Sequence, residues 1–146
     1  MIAVFAKANP ALLPMDRREI AACLTRMLLA AQRPEASLEV ECLHDADIAR
    51  LNAEYMGNPG PTNILSFPSE EEEFLGSLAL SVECLRREAF LYGQDPALYC
   101  EQLLAHGLGH LLGLDHGPEM DALCAEMLAS GRSGGPDEPS KSLRPE

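Results

Sequence analysis

Apolar residues recur along the chain with two different periods, and the changes of period mark its elements. In residues 37–44, Leu38, Val40 and Cys42 alternate with Glu39, Glu41 and Leu43, which is the period of a half-buried strand. Short apolar runs over residues 2–5, 63–67 and 77–82 predict three further strands. Elsewhere the spacing changes to three and four. Ile20, Cys23, Leu24, Met27 and Leu28 form a helical stripe within residues 15–32. Ile48, Leu51 and Tyr55 do the same within residues 45–55, with Asp45 or Asp47 as the cap. Residues 83–91 predict a short third helix. Asp95 before Pro96 predicts the N-cap and first position of a fourth helix, which runs through Leu103, Leu104 and His106 to about Leu112 and is ended by Gly113. A fifth helix over residues 118–130 turns Met120, Leu123, Cys124, Met127 and Leu128 inward. Residues 56–61 hold two Gly and two Pro and form a turn, and the four glutamates of residues 70–73 sit in a solvated loop. Strands and helices mix without a regular β–α–β rhythm. The fold class is α/β (α+β), a small mixed sheet of about four strands covered by about five helices.

Composition narrows this picture. The 146 residues fit one domain, and a hydrophobic share of 47% excludes disorder for most of the chain. Residues 131–146 hold three Gly, three Pro, three Ser and balanced charges, so a disordered tail is expected there and residues 1–130 form the domain. The longest uncharged stretch is 15 residues and contains three prolines, so no membrane association is expected. Residues 1–6 are too short for a signal peptide and follow no cation, which makes the cytoplasm the expected compartment. Five cysteines, an odd number with no CxxC pair, argue against a disulfide framework and a thiolate zinc site, and are expected to be buried as small apolar residues. The net charge of −12 argues against wide electrostatic contact with nucleic acid while leaving room for a local groove.

One segment carries the chemistry. His106, His110 and His116 lie within 11 residues, and the chain has only one other histidine, His44. A spacing of four puts the first two imidazoles on one helix face about a turn apart. Gly113 can take positive φ and turn the chain back, so that His116 closes a three-nitrogen site. Three neutral imidazoles with an open position describe a catalytic zinc site, one ion per chain, although nickel and copper also suit the set. His44, at a strand end, is expected to be structural or exposed. The same histidine spacing occurs in metzincin proteases, where a Glu follows the first histidine as general base. Here that position is Gly107.

At this point the sequence resembles the YbeY endoribonucleases. The pattern H-G-x-x-H-L-x-G-x-D-H covers His106 to His116, and a second block runs from Leu51-Asn52 through Tyr55 to Pro61-Thr62-Asn63-Ile64-Leu65-Ser66-Phe67-Pro68. The resemblance covers residues 1–130. It implies a small mixed sheet with helices on both sides, zinc on His106, His110 and His116, and a metal-dependent endoribonuclease. It also implies a role in small-subunit (16S) rRNA 3′-end maturation and ribosome quality control, with small-subunit rRNA precursor as RNA partner beside ribosomal small-subunit proteins and assembly factors. Asp115 is then the candidate catalytic residue, either orienting an imidazole or serving as a turn and cap residue. Asn63 and Ser66 either line the substrate groove or are ordinary edge-strand residues.

Several positions depart from the family pattern. Met56 stands where the family carries an arginine after the tyrosine, which removes a phosphate contact. Ser77 replaces an aspartate, Leu114 a tyrosine, and Gly109 a leucine, and Gly109 is expected to loosen the helix between its two histidines. Two rivals follow. A non-catalytic, zinc-containing ribosome-assembly factor is favoured by Met56 and the acidic charge. A metalloprotease is disfavoured by Gly107.

Overall fold

The computed structural model describes residues 1–130, and the tail expected over residues 131–146 lies outside them. The elements are β1 (Ile2–Ala6), α1 (Arg17–Ala30), β2 (Ser37–Leu43), α2 (Asp45–Leu51), β3 (Ile64–Pro68), β4 (Phe74–Ser81), α3 (Val82–Leu91), α4 (Pro96–Leu111) and α5 (Pro118–Ser130). The sheet order is β1-β2-β4-β3. β1, β2 and β4 run parallel, and β3 pairs antiparallel with β4 as an edge strand.

Each element matches its expected type, and the differences are at the ends. α1 starts with a capping box in which Asp16 accepts from the Glu19 N–H and Glu19 from the Asp16 N–H, both at 2.8 Å. β4 begins three residues before the expected Ser77. Gly76 sits inside the ladder at φ +134°, where a Cβ would meet the Phe67 carbonyl oxygen. The second helix stops at Leu51, and residues Asn52–Met56 wind into a π-turn closed by Gly57 at φ +71°.

Neither Asp45 nor Asp47 caps α2. His44 holds the N-cap position without a side-chain bond to the helix, and the Asp45 N–H donates instead to Glu83 of α3 at 2.7 Å. The two aspartates are drawn elsewhere. Asp45 accepts from Ser81 Oγ and from Arg87, each at 2.7 Å, and Asp47 pairs with Arg50 at 2.9 Å.

The two faces of the sheet carry two cores. Leu38, Val40 and Cys42 of β2 with Leu78 and Leu80 of β4 pack against Leu24 of α1, Leu104 and Leu108 of α4 and Met127 of α5. On the other face Leu43, Leu65 and Ala79 meet Ile48 of α2 in a smaller cluster. Helices therefore lie on both sides, with the heavier layer carrying α4. All five cysteines are free and buried, as expected. Burial pushes the thiols of Cys23, Cys42 and Cys84 up to about 11, which keeps them protonated and unreactive. Glu70 to Glu73 are exposed. No helix among the described residues is long and apolar enough to cross a membrane.

Candidate metal centre

α4 presents a stripe of functional side chains along one flank. It is capped by Asp95, whose carboxylate accepts from the N–H groups of Ala97 and Leu98 at 3.0 and 3.1 Å. From there Tyr99, Gln102, His106 and His110 follow at steps of three and four and line a pocket of about 690 Å³. The opposite wall is the edge strand β3, through Asn63, Ile64 and Ser66. Asn63 and Ser66, the two candidate groove residues, thus both line this pocket. Ser66 Oγ donates to the Gly107 carbonyl at 3.1 Å, which fastens β3 to α4 between the two histidines.

Gly107 itself faces the sheet. A Cβ there would stand 2.8 Å from Leu78 Cδ2 and 2.9 Å from Ile64 Cδ1. The position where the protease pattern has its glutamate is thus pressed against packed side chains and offers no carboxylate to the pocket. α4 runs unbroken through Gly109. The glycine is buried at the crossing with α5, where a Cβ would meet the Met120 sulfur, so it permits the close approach of the two helices.

The turn after α4 delivers the third histidine. The Gly113 N–H donates to the His110 carbonyl and the Leu114 N–H to the Gly109 carbonyl, both at 3.0 Å, with Gly113 at φ +95°. These two bonds are a Schellman motif, which reverses the chain at the helix end. His116 then comes edge to face with His110, ring centroids 5.1 Å apart. Leu114, Asp115 and His116 all line the pocket.

The tautomers of two histidines follow from their partners. His106 Nδ1 lies 3.1 Å from the Gln102 carbonyl and His110 Nδ1 3.0 Å from the Leu114 carbonyl. A carbonyl only accepts, so each Nδ1 carries the proton and each neutral ring keeps a lone pair on Nε2. A backbone carbonyl behind Nδ1 is the usual support of a histidine metal ligand. In this conformation no three ligand-type side chains among the described residues converge tightly enough to hold an ion. His116, the histidine with no carbonyl partner among the described residues, is exposed on the turn beyond α4. The donor set fits zinc in chemistry, and closing it takes side-chain rotation.

His44 stands apart from this group and is structural. Its Nε2 accepts from the Asn9 N–H at 3.3 Å, and its Nδ1 lies 3.4 Å from Glu83. Asp115 is exposed, has no hydrogen bond or ion pair among the described residues, and so neither orients an imidazole nor caps the turn. Ser77 lies against a different, smaller pocket with Phe67 and Tyr55, away from the histidines. Met56, at the end of the π-turn and 43% exposed, borders the histidine pocket.

Three contributors escape a reading of the sequence. Glu88 of α3 accepts from the Tyr99 hydroxyl at 2.6 Å and from the Asn63 amide at 3.0 Å, so one carboxylate braces both walls of the pocket. Burial first, and the Glu88 bond second, hold the Tyr99 phenol above its ordinary pKa, so it remains a donor. Continuing the stripe back from His106 finds Tyr99 and Gln102. No spacing rule finds Glu88, which sits 25 residues from Asn63. Among the described residues neither lysine nor arginine lines the pocket.

Comparison with known proteins adds to this geometry. The family model described as Endoribonuclease YbeY matches residues 11–131. A protein of that name from Lawsonia intracellularis is 43% identical over 116 residues, spanning 80% of this chain and 86% of the relative. Its counterpart from Nitratidesulfovibrio vulgaris is 43% identical over 131 residues, spanning 75% and 81%. The solution structure of TM1509 from Thermotoga maritima superposes with a TM-score of 0.63 at 21% identity, covering 99% of this chain and all 100% of the other, and shows the shared fold.

Proposed function

The chain belongs to the YbeY endoribonuclease family, and from that premise we propose that it is a metal-dependent endoribonuclease cutting single-stranded RNA. We place it in 16S rRNA 3′-end maturation and ribosome quality control, in the cytoplasm, with small-subunit rRNA precursor as substrate. Ribosomal small-subunit proteins and assembly factors are its proposed partners. The observation that carries this reading is the pocket shared by His106, His110 and His116, in which two Nε2 lone pairs are presented by carbonyl-held rings.

The three imidazoles are the proposed ligands of one zinc ion, which when bound supplies Lewis acidity toward a phosphoryl oxygen. The chain's own residues do the rest. The Gln102 and Leu114 carbonyls fix the ring orientations of His106 and His110. Glu88 sets Asn63 and Tyr99 as the walls along which the strand lies. Asp115 is the carboxylate that lines the pocket and is the proposed proton acceptor for the attacking nucleophile.

Two experiments test the reading. Wild type is expected to cleave single-stranded small-subunit rRNA precursor and His110→Ala to lose that cleavage. An active His110→Ala would remove the histidine pocket from the chemistry. Metal analysis is expected to find about one divalent ion per chain, with affinity reduced far more by His116→Ala than by His44→Ala. Equal metal content in the two variants would sink the ligand assignment. The rival reading, a zinc-containing assembly factor without catalysis, is favoured by the lack of lysine or arginine in the pocket among the described residues. It predicts co-sedimentation with ribosomal subunits and no cleavage.

A further inference from the structure

The free edge of β3 faces the histidines, and its main chain can be read donor by donor. In an antiparallel ladder, residues of hydrogen-bonded pairs turn both N–H and C=O to the partner strand, and the alternate residues turn both away. At one end Ser81 N donates to the Asn63 carbonyl, and at the other Ser69 N donates to the Leu75 carbonyl, each at 2.9 Å. With Leu65 opposite Ala79 and Phe67 opposite Ser77, residues 63, 65, 67 and 69 all bond to β4. Ile64, Ser66 and Pro68 therefore direct their main-chain groups outward.

Two of these three positions offer no donor. The Ile64 N–H is taken by Asn63 Oδ1 at 2.6 Å, and proline has none. One outward donor is left on the strand, the Ser66 N–H, which has no partner among the described residues. It belongs to the residue whose side chain is bonded to the Gly107 carbonyl, between His106 and His110. Two of the side-chain donors that line the pocket are already engaged, and the Gln102 amide is a third donor there. The Asn63 amide and the Tyr99 hydroxyl both bond to Glu88.

We infer that the Ser66 main-chain N–H donates a hydrogen bond to a non-bridging oxygen of the phosphodiester held beside His106 and His110. This rests on the endoribonuclease reading. Neither lysine nor arginine among the described residues lines the pocket, so what those residues offer the phosphate is neutral donors, and a fixed backbone N–H needs no reorganisation to serve as one. The capped edge also disfavours a peptide substrate. Adding a strand to β3 needs a ladder of outward donors, and Asn63 and Pro68 leave one.

The test replaces one atom in the full-length protein. Glyceric acid at position 66 exchanges the serine N–H for an oxygen and keeps the side chain. Phenyllactic acid at position 67 does the same to an N–H that bonds to β4. The ester at 66 is expected to lower kcat on single-stranded RNA by about 100-fold, the scale for losing one transition-state donor. Its melting temperature should fall less than that of the ester at 67, which loses a ladder bond. Cleavage unchanged by the ester at 66, in a wild type that cleaves, overturns the inference alone. A loss of stability at 66 as large as at 67 overturns it too, because the N–H then has a structural partner. A wild type that does not cleave removes the endoribonuclease reading and the inference with it.

Discussion

At the scale of single residues, two glycines decide how α4 reaches its neighbours. Alanine in place of a helical glycine gains about 1 kcal/mol in propensity. At Gly107 that gain meets Leu78 Cδ2 at 2.8 Å and Ile64 Cδ1 at 2.9 Å, and Leu78 is fully buried. Overpacking of this kind typically costs 1–3 kcal/mol, so the clash wins. Gly107→Ala is expected to be less stable than wild type by roughly 1–2 kcal/mol in urea denaturation. At Gly109 the obstacle is the end of the flexible Met120 side chain, so the same change should cost less. A Gly107→Ala protein as stable as wild type would mean that α4 does not lie this close to the sheet. The sequence shows both glycines and their departure from a good helix former. It does not show what they face, because that depends on elements packed from elsewhere in the chain.

At the scale of elements, Asp45 joins three of them. It opens α2, accepts from Ser81 at the end of β4, and pairs with Arg87 of α3. Burial alone would raise its pKa. The hydrogen bonds from Arg87 and Ser81 and the nearby guanidinium charge outweigh that and hold it below the ordinary value. A depressed carboxylate stabilises the fold above its unfolded pKa and loses that contribution as pH falls through the folded one. Asp45→Asn should therefore be less stable than wild type at pH 7, by roughly 1–2 kcal/mol for a charge-assisted bond shared with solvent. The gap should begin to narrow as pH falls below about 4, the ordinary carboxylate value, and close further as pH falls through the lower value of the folded carboxyl. Denaturation curves of both proteins at pH 7 and pH 3 measure it, and a gap that does not change with pH would show that the charge is not what holds the corner. Element type was legible throughout, since the apolar period reports which face is buried. Caps were less so. Asp95 is a local cap and was readable, whereas Asp45 looks like a cap and serves tertiary partners instead. The π-turn at Asn52–Met56 keeps helical spacing through Tyr55, so the period could not mark where α2 stops. The three histidines are local in sequence and were found, and Glu88, which braces the pocket from another helix, was not.

At the scale of the molecule, the balance of charge sets the problem of binding RNA. The chain carries 23 acidic residues against 11 basic ones, and among the described residues neither lysine nor arginine lines the histidine pocket. Position 56 is where this is most easily changed. It borders the pocket, it is partly exposed, and the resemblance to the family places an arginine there. Methionine carries no charge and donates no hydrogen bond. A hydrogen bond to a charged group contributes about 1.5–3 kcal/mol, and each 1.4 kcal/mol is a factor of ten. Met56→Arg is thus expected to raise cleavage of single-stranded RNA on the order of ten- to a hundredfold at low salt. Part of that gain is long-range attraction of the phosphate backbone, which salt screens over about 10 Å at 0.1 M. The advantage should therefore shrink as salt rises, while a residual part from direct contact persists. Cleavage rates of both proteins at low and high salt, with equal zinc loading, separate the two. An unchanged rate at low salt would show that the groove is limited elsewhere, by the neutral donors of β3 or by a positive charge brought by a ribosomal partner.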